Sequence, residues 1–89
     1  MKEKAIREMN NFINSTIESM NYTLEFAKDT GKDPAWVVWS LHKKYDEAFG
    51  ALVFMNCYMG MSDEIYDELR HRAQNELFKL SDEAYKTLA

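Results

Sequence analysis

Glu68-Leu69-Arg70-His71 has the Glu-x-x-His spacing that puts a carboxylate and an imidazole one turn apart on a helix, the arrangement helical bundles use to hold two iron ions. Such a centre takes two of these motifs and two further carboxylates. The other histidine, His42, has Trp39 three residues before it, so the second motif is missing. His42 and Asp46 stand at i and i+4 and could share a cation, but two ligands make a weak site. The expectation is that the chain holds no metal and no cofactor, with His42–Asp46 and His71–Asp67 as surface pairs of small energetic value. Cys57, the lone cysteine, falls in an apolar stretch without a neighbouring cation to favour its thiolate, so it reads as an inert packing residue. No nucleophile can be paired with a supporting base, and no glycine-rich phosphate loop is present. The chain is therefore not expected to be an enzyme, and a metal-assisted enzyme ranks third among the functions considered.

Two sets of residues suit recognition instead. Trp36, Trp39 and Phe54 lie on a second apolar face of one helix, where large aromatics act as binding hot spots if they do not cover the bundle against Tyr22 and Phe26. Asp63, Glu64, Asp67 and Glu68 form an acidic face on the next helix. Met59-Gly60-Met61-Ser62 between them looks like the turn of a helix-turn-helix, which makes a nucleic-acid-binding regulator the alternative function. The recognition helix would then turn four carboxylates toward phosphates, which repel them. Asn56 also stands where that motif wants a small residue. Binding to nucleic acid is accordingly not expected.

These residues must be positioned by helices. Ile6, Met9, Ile13, Ile17, Met20, Leu24 and Ala27 recur at three- and four-residue spacing, predicting an amphipathic helix over about 3–28 ended by Gly31. Its asparagines, Asn10, Asn11, Asn14 and Asn21, are weak helix formers, so packing must hold it. Asn14-Ser15-Thr16 and Asn21-Tyr22-Thr23 match the glycosylation sequon and are read as accidental, since no secretory signal is evident. Asp33-Pro34 announces a second helix over about 34–59, a capping carboxylate followed by proline at the first helical position, with Gly60 as the stop. One face of it carries Val38, Leu41, Tyr45, Ala48, Leu52, Met55 and Met59. The opposite face carries Trp36, Trp39, Gly50, Phe54 and Cys57, interrupted by Lys43 and Glu47. A helix with two apolar faces is central in its bundle or shared between subunits. Ser62 caps a third helix over about 63–79, with Met61 and Tyr66 as a hydrophobic staple and Ile65, Tyr66, Leu69, Ala73, Leu77 and Leu80 as its buried stripe. The segments MSDEIYDEL from Met61 and LSDEAYKTL from Leu80 echo one another. By that echo Ser81 caps a short fourth helix over about 82–88, with Leu80 and Tyr85 as its staple; the alternative is no break near Leu80 and one helix to the C-terminus.

The fold expected is all-α, an antiparallel bundle of three main helices and a short C-terminal one, in a single domain over 1–89. Eighty-nine residues with 46% hydrophobic and 29% charged content suit one folded domain with a small interior. Three glycines and one proline leave few places to turn, which favours long elements. A net charge of −4 disfavours nucleic acid and anionic membranes, and one cysteine fits a cytoplasmic setting. No stretch approaches the roughly 20 apolar residues of a membrane span. In style, the Asn- and Lys-containing first helix followed by the Gly60-Met61-Ser62-Asp63-Glu64 helix start resembles small accessory proteins of bacteriophages and mobile elements, some of which block host defence proteins. The resemblance rests on size, acidity and the Gly60–Leu69 segment. It implies an inhibitor of a host protein and assigns a role to no individual residue. The function expected is a noncatalytic, protein-binding or regulatory helical protein that forms a homodimer and acts on another protein.

Overall fold

A computed structural model describes residues 2–88, leaving the side chains of Lys2 and Met59 undescribed, so the place of Met59 on the buried face lies outside the described residues. Among the described residues three helices make up the fold: α1 Lys2–Thr30, α2 Pro34–Met59 and α3 Asp63–Thr87. At about 1.5 Å per residue each is roughly 38–44 Å long, and the molecule measures 46 × 17 × 16 Å. Each helix therefore runs the length of the molecule, and the chain reverses at each short connection. All three helix pairs are in contact.

The connections follow from their residues. Gly31 takes φ 71°, and the amide of Lys32 donates to the Ala27 carbonyl at 3.0 Å, closing the end of α1. The Asp33 carboxylate accepts from the Trp36 amide at 2.8 Å, and Pro34 opens α2. Gly60 takes φ 63° and donates to the Asn56 carbonyl at 3.0 Å. The Ser62 hydroxyl then caps α3 by accepting from the Ile65 amide at 3.3 Å.

The core has two parts along the bundle axis. Met20, Leu24, Ala27, Val37, Leu41, Leu77, Leu80 and Ala84 fill one, with Trp36, Tyr45 and Leu88 against it. Met9, Ile13, Ala48, Leu52 and Leu69 fill the other, flanked by Phe12, Met55, Met61 and Tyr66. The buried line of α2 starts at Val37, which is wholly buried, and not at Val38, which is half-buried. Both lie one turn before Leu41, but the i−4 position keeps the row directed at α1 and α3.

α3 continues without a break to Thr87, which corrects the helix end near residue 79 and the separate helix over 82–88. Leu80 and Ala84 extend the buried row of Leu69, Ala73 and Leu77, so packing holds the helix together where the local Ser-Asp-Glu signal suggested a start. At Ser62 the left-handed Gly60 first reverses the chain; no such residue precedes Ser81. Leu80 is core while Tyr85 is exposed, so the two form no staple. The Ser81 hydroxyl oxygen is buried and has no hydrogen-bond partner among the described residues. Ser81→Ala should therefore stabilise the chain by about 0.5–1 kcal/mol, from better helix propensity and removal of an unpaired polar atom. Thermal melting checks this; a loss of about 1 kcal/mol would be the behaviour of a cap.

Candidate functional site

The aromatic residues of α2 divide by environment. Trp36 packs against the core and meets the Phe26 ring at 5.9 Å between centroids, covering that end of the bundle. Trp39, one turn on, is 59% exposed, and Phe54 is 61% exposed. The two lie about 22 Å apart along the helix, with charged Lys43, Asp46 and Glu47 between them, so they are two patches and not one band.

The patch around Phe54 is apolar. The Phe54 and Tyr58 rings pack at 4.5 Å, and Phe49 and Val53 are also exposed. Cys57 is exposed as well, which corrects its reading as a packing residue: the second apolar face of α2 has no helix of this chain over it. Gly50 stands at mid-helix in this region, exposed, and a Cβ added there would have nothing within 4 Å.

The patch around Trp39 opens into a groove between α1 and α2. One section, about 460 Å³, is walled by Tyr22, Phe26, Trp36 and Trp39, with Lys43, Lys44 and Glu47 also lining it. A second section, about 420 Å³, shares Lys44 and Glu47 and continues past Ser15, Ser19 and Ala51 to Phe12. The Lys43 ammonium sits 4.8 Å from the Trp39 ring centroid, and that of Lys32 sits 5.5 Å from Trp36. Among the described residues Lys32, Lys43 and Lys44 form no ion pair.

Asp63, Glu64, Asp67 and Glu68 are all exposed on the first turns of α3, where the positive end of the helix favours them. Asp67 pairs with Arg70 at 3.8 Å. These acids share an end of the bundle with Phe54 and Tyr58, because α2 finishes where α3 begins. Among the described residues no three His, Cys, Asp or Glu side chains stand together as a metal site, and neither histidine makes an ion pair; His71 instead contacts Arg70 at 3.3 Å. Farther along α3 the Asp82 carboxylate raises the Lys86 pKa above its ordinary value, first through their hydrogen bond and then through charge. No helix among the described residues is long and apolar enough to cross a membrane. α2 and α3 lie side by side along the bundle, without the crossing of about 90–120° that a helix-turn-helix requires.

The chain matches no family model, no curated protein and no solved structure. Any functional reading therefore rests on the surfaces themselves.

One constellation escapes the sequence reading. The Arg72 guanidinium donates to the Asn10 side-chain oxygen at 2.8 Å and to that of Asn14. The Asn21 amide donates to the Glu76 carboxylate at 3.0 Å, and Lys28 approaches Glu83 at 4.0 Å. Three of the four asparagines that looked like helix weaknesses, Asn10, Asn14 and Asn21, thus latch α1 to α3. Both sequon asparagines, Asn14 and Asn21, are engaged in this seam. The signal was present as spacing: 10, 14, 21 and 28 on one helix against 72, 76 and 83 on the other.

Proposed function

We propose that the chain is a noncatalytic, cytoplasmic helical protein that self-associates as a homodimer through the outer face of α2 and regulates another protein by binding it. The observation that carries the dimer is Gly50 within its exposed apolar setting. A glycine in mid-helix costs about 1 kcal/mol relative to alanine, and nothing in its own chain needs the space. Flanked by exposed Phe49, Val53, Phe54 and Cys57, it suits the close approach of a second helix. A closed twofold dimer is the commonest way to cover such a face.

The acidic face of α3 (Asp63, Glu64, Asp67, Glu68) and the patch at Trp36 and Trp39 remain free in that dimer for a different partner. An inhibitor of a host protein is the regulatory role that the resemblance to mobile-element accessory proteins suggests, and no nucleic acid or membrane is among the proposed partners.

Light scattering at tens of micromolar tests the dimer and should give twice the chain mass; the mass of a single chain would remove the proposal. Gly50→Ala adds an independent test. In a monomeric background it should stabilise α2 by up to about 1 kcal/mol, because the methyl group gains helix propensity and meets nothing. In the wild-type background the same methyl should weaken self-association. Sedimentation equilibrium with parallel melts reads both; tighter association on Gly50→Ala would argue against close helix approach at this position.

A further inference from the structure

The three seams of the bundle are not finished alike. The α1/α3 seam is crossed by the hydrogen bonds of Arg72 and Asn21 and by the approach of Lys28 to Glu83. Across the α1/α2 and α2/α3 seams no side-chain hydrogen bond or ion pair forms among the described residues, and along the first of these the groove runs. Its walls carry small side chains, Ser15, Ser19, Ser40 and Ala51. Thr16 and Thr23 spend their hydroxyls on the Phe12 and Ser19 carbonyls of their own helix. From Phe12 to Phe26 the groove follows α1 for about 21 Å, some four turns of helix.

We infer that the α1/α2 groove seats an acidic amphipathic helix of a partner protein, its apolar side laid between the helices and its carboxylates set against Lys32, Lys43 and Lys44. A groove between two aligned helices receives a third by side-chain interdigitation, as α3 already does from the opposite side. Tyr22 and Trp39 at one end and Phe12 at the other supply anchoring contacts. The charge argument selects an acidic helix: Lys43 and Lys44 line the groove, Lys32 stands over Trp36 at its end, and none of the three has an ion-pair partner among the described residues, in a chain of net charge −4. Single-stranded nucleic acid also stacks on aromatics beside cations, but its regular line of phosphates must pass Glu47, which both groove sections share. A helix can place its carboxylates around that position.

This inference deepens the reading that the chain acts by binding protein and does not depend on the dimer. The test therefore uses the Phe54→Glu chain, since Phe54 does not line the groove. The probe is a synthetic peptide of about three heptads with Leu at a and d and Glu beside them, and its twin has Lys in place of every Glu. The acidic peptide should bind saturably and shift the backbone amide resonances of Ser19, Ser40 and Lys43, with the basic twin roughly tenfold weaker. Lys43→Glu combined with Lys44→Glu should invert that preference with an unchanged melting curve. Ser15→Trp, which fills one groove section, should block both peptides.

No binding, equal binding of both peptides, or shifts confined to the Val53 region would overturn the inference. Displacement of the peptide by oligo-dT would assign the groove to nucleic acid instead. Groove resonances that move with protein concentration alone would assign it to a second copy.

Discussion

Phe54→Glu is expected to turn a dimer into a folded monomer at tens of micromolar. In the single chain Phe54 is 61% exposed and its close neighbour is the Tyr58 ring, itself 76% exposed. A carboxylate at that position stays hydrated in the monomer, and losing the ring pair costs about 0.5–1.5 kcal/mol. In a twofold interface the consequences are larger. Burying a phenylalanine is worth about 1.5–3 kcal/mol, and the substitution removes that gain from both protomers while bringing two like charges into an apolar contact. Dimerisation should weaken by roughly a hundredfold or more, about 3 kcal/mol. Light scattering should show the mass halved, and circular dichroism should show helix content unchanged. The wild-type melting temperature should rise with protein concentration, as binding linkage demands, and that of the variant should not. A wild type already monomeric would leave Phe54 to a different partner. A variant that keeps the dimer mass would place the interface elsewhere on the chain.

What the sequence made legible was local. Asp33-Pro34, Gly60 and Ser62 each act on the backbone within a few residues, and each is used as its chemistry suggests. The stripe of α1 was equally readable, because Met9, Ile13, Met20, Leu24 and Ala27 follow the helical period. Ser81 misled because its neighbourhood imitates that of Ser62, while the deciding residues were Leu80 and Ala84, whose four-residue spacing carries the buried row through the supposed break. Val37 and Val38 could not be separated by period alone; the difference depends on where α1 and α3 stand. The candidate surfaces were half legible. Trp39 and Phe54 are exposed as a binding face requires, whereas Trp36 is anchored to Phe26 across the α1/α2 turn. The groove was not legible, since it is defined by the smallness of Ser15, Ser19, Ser40 and Ala51 on two helices whose facing sides the sequence does not specify.

Arg72→Ala should destabilise the fold by about 2 kcal/mol, and its cause lies in the pairing of α1 with α3. The guanidinium is half-buried and donates to two acceptors on the neighbouring helix, Asn10 and Asn14. Hydrogen bonds from a charged donor contribute about 1.5–3 kcal/mol each where water cannot replace them. Asn14 is exposed and will regain water, so most of the loss comes from Asn10, which is partly buried and whose amide is already committed to the Ile6 carbonyl at 3.0 Å. In a domain of this size 1 kcal/mol moves the melting temperature by about 4–8 °C, so a drop of roughly 10 °C is expected. Melts in the Phe54→Glu background remove any contribution from self-association. Arg72→Lys keeps the charge but loses the fork that reaches both acceptors, and should fall between wild type and alanine. Combining Arg72→Ala with Asn10→Ala should cost less than the sum of the two single changes, a coupling of about 1 kcal/mol within the range for contacting residues. Strict additivity, or an Arg72→Ala change below about 0.5 kcal/mol, would make the contact an ordinary surface one. The α1/α3 seam would then be latched only by Asn21 with Glu76 and Lys28 with Glu83 among the described residues, and its contrast with the open α1/α2 groove would weaken.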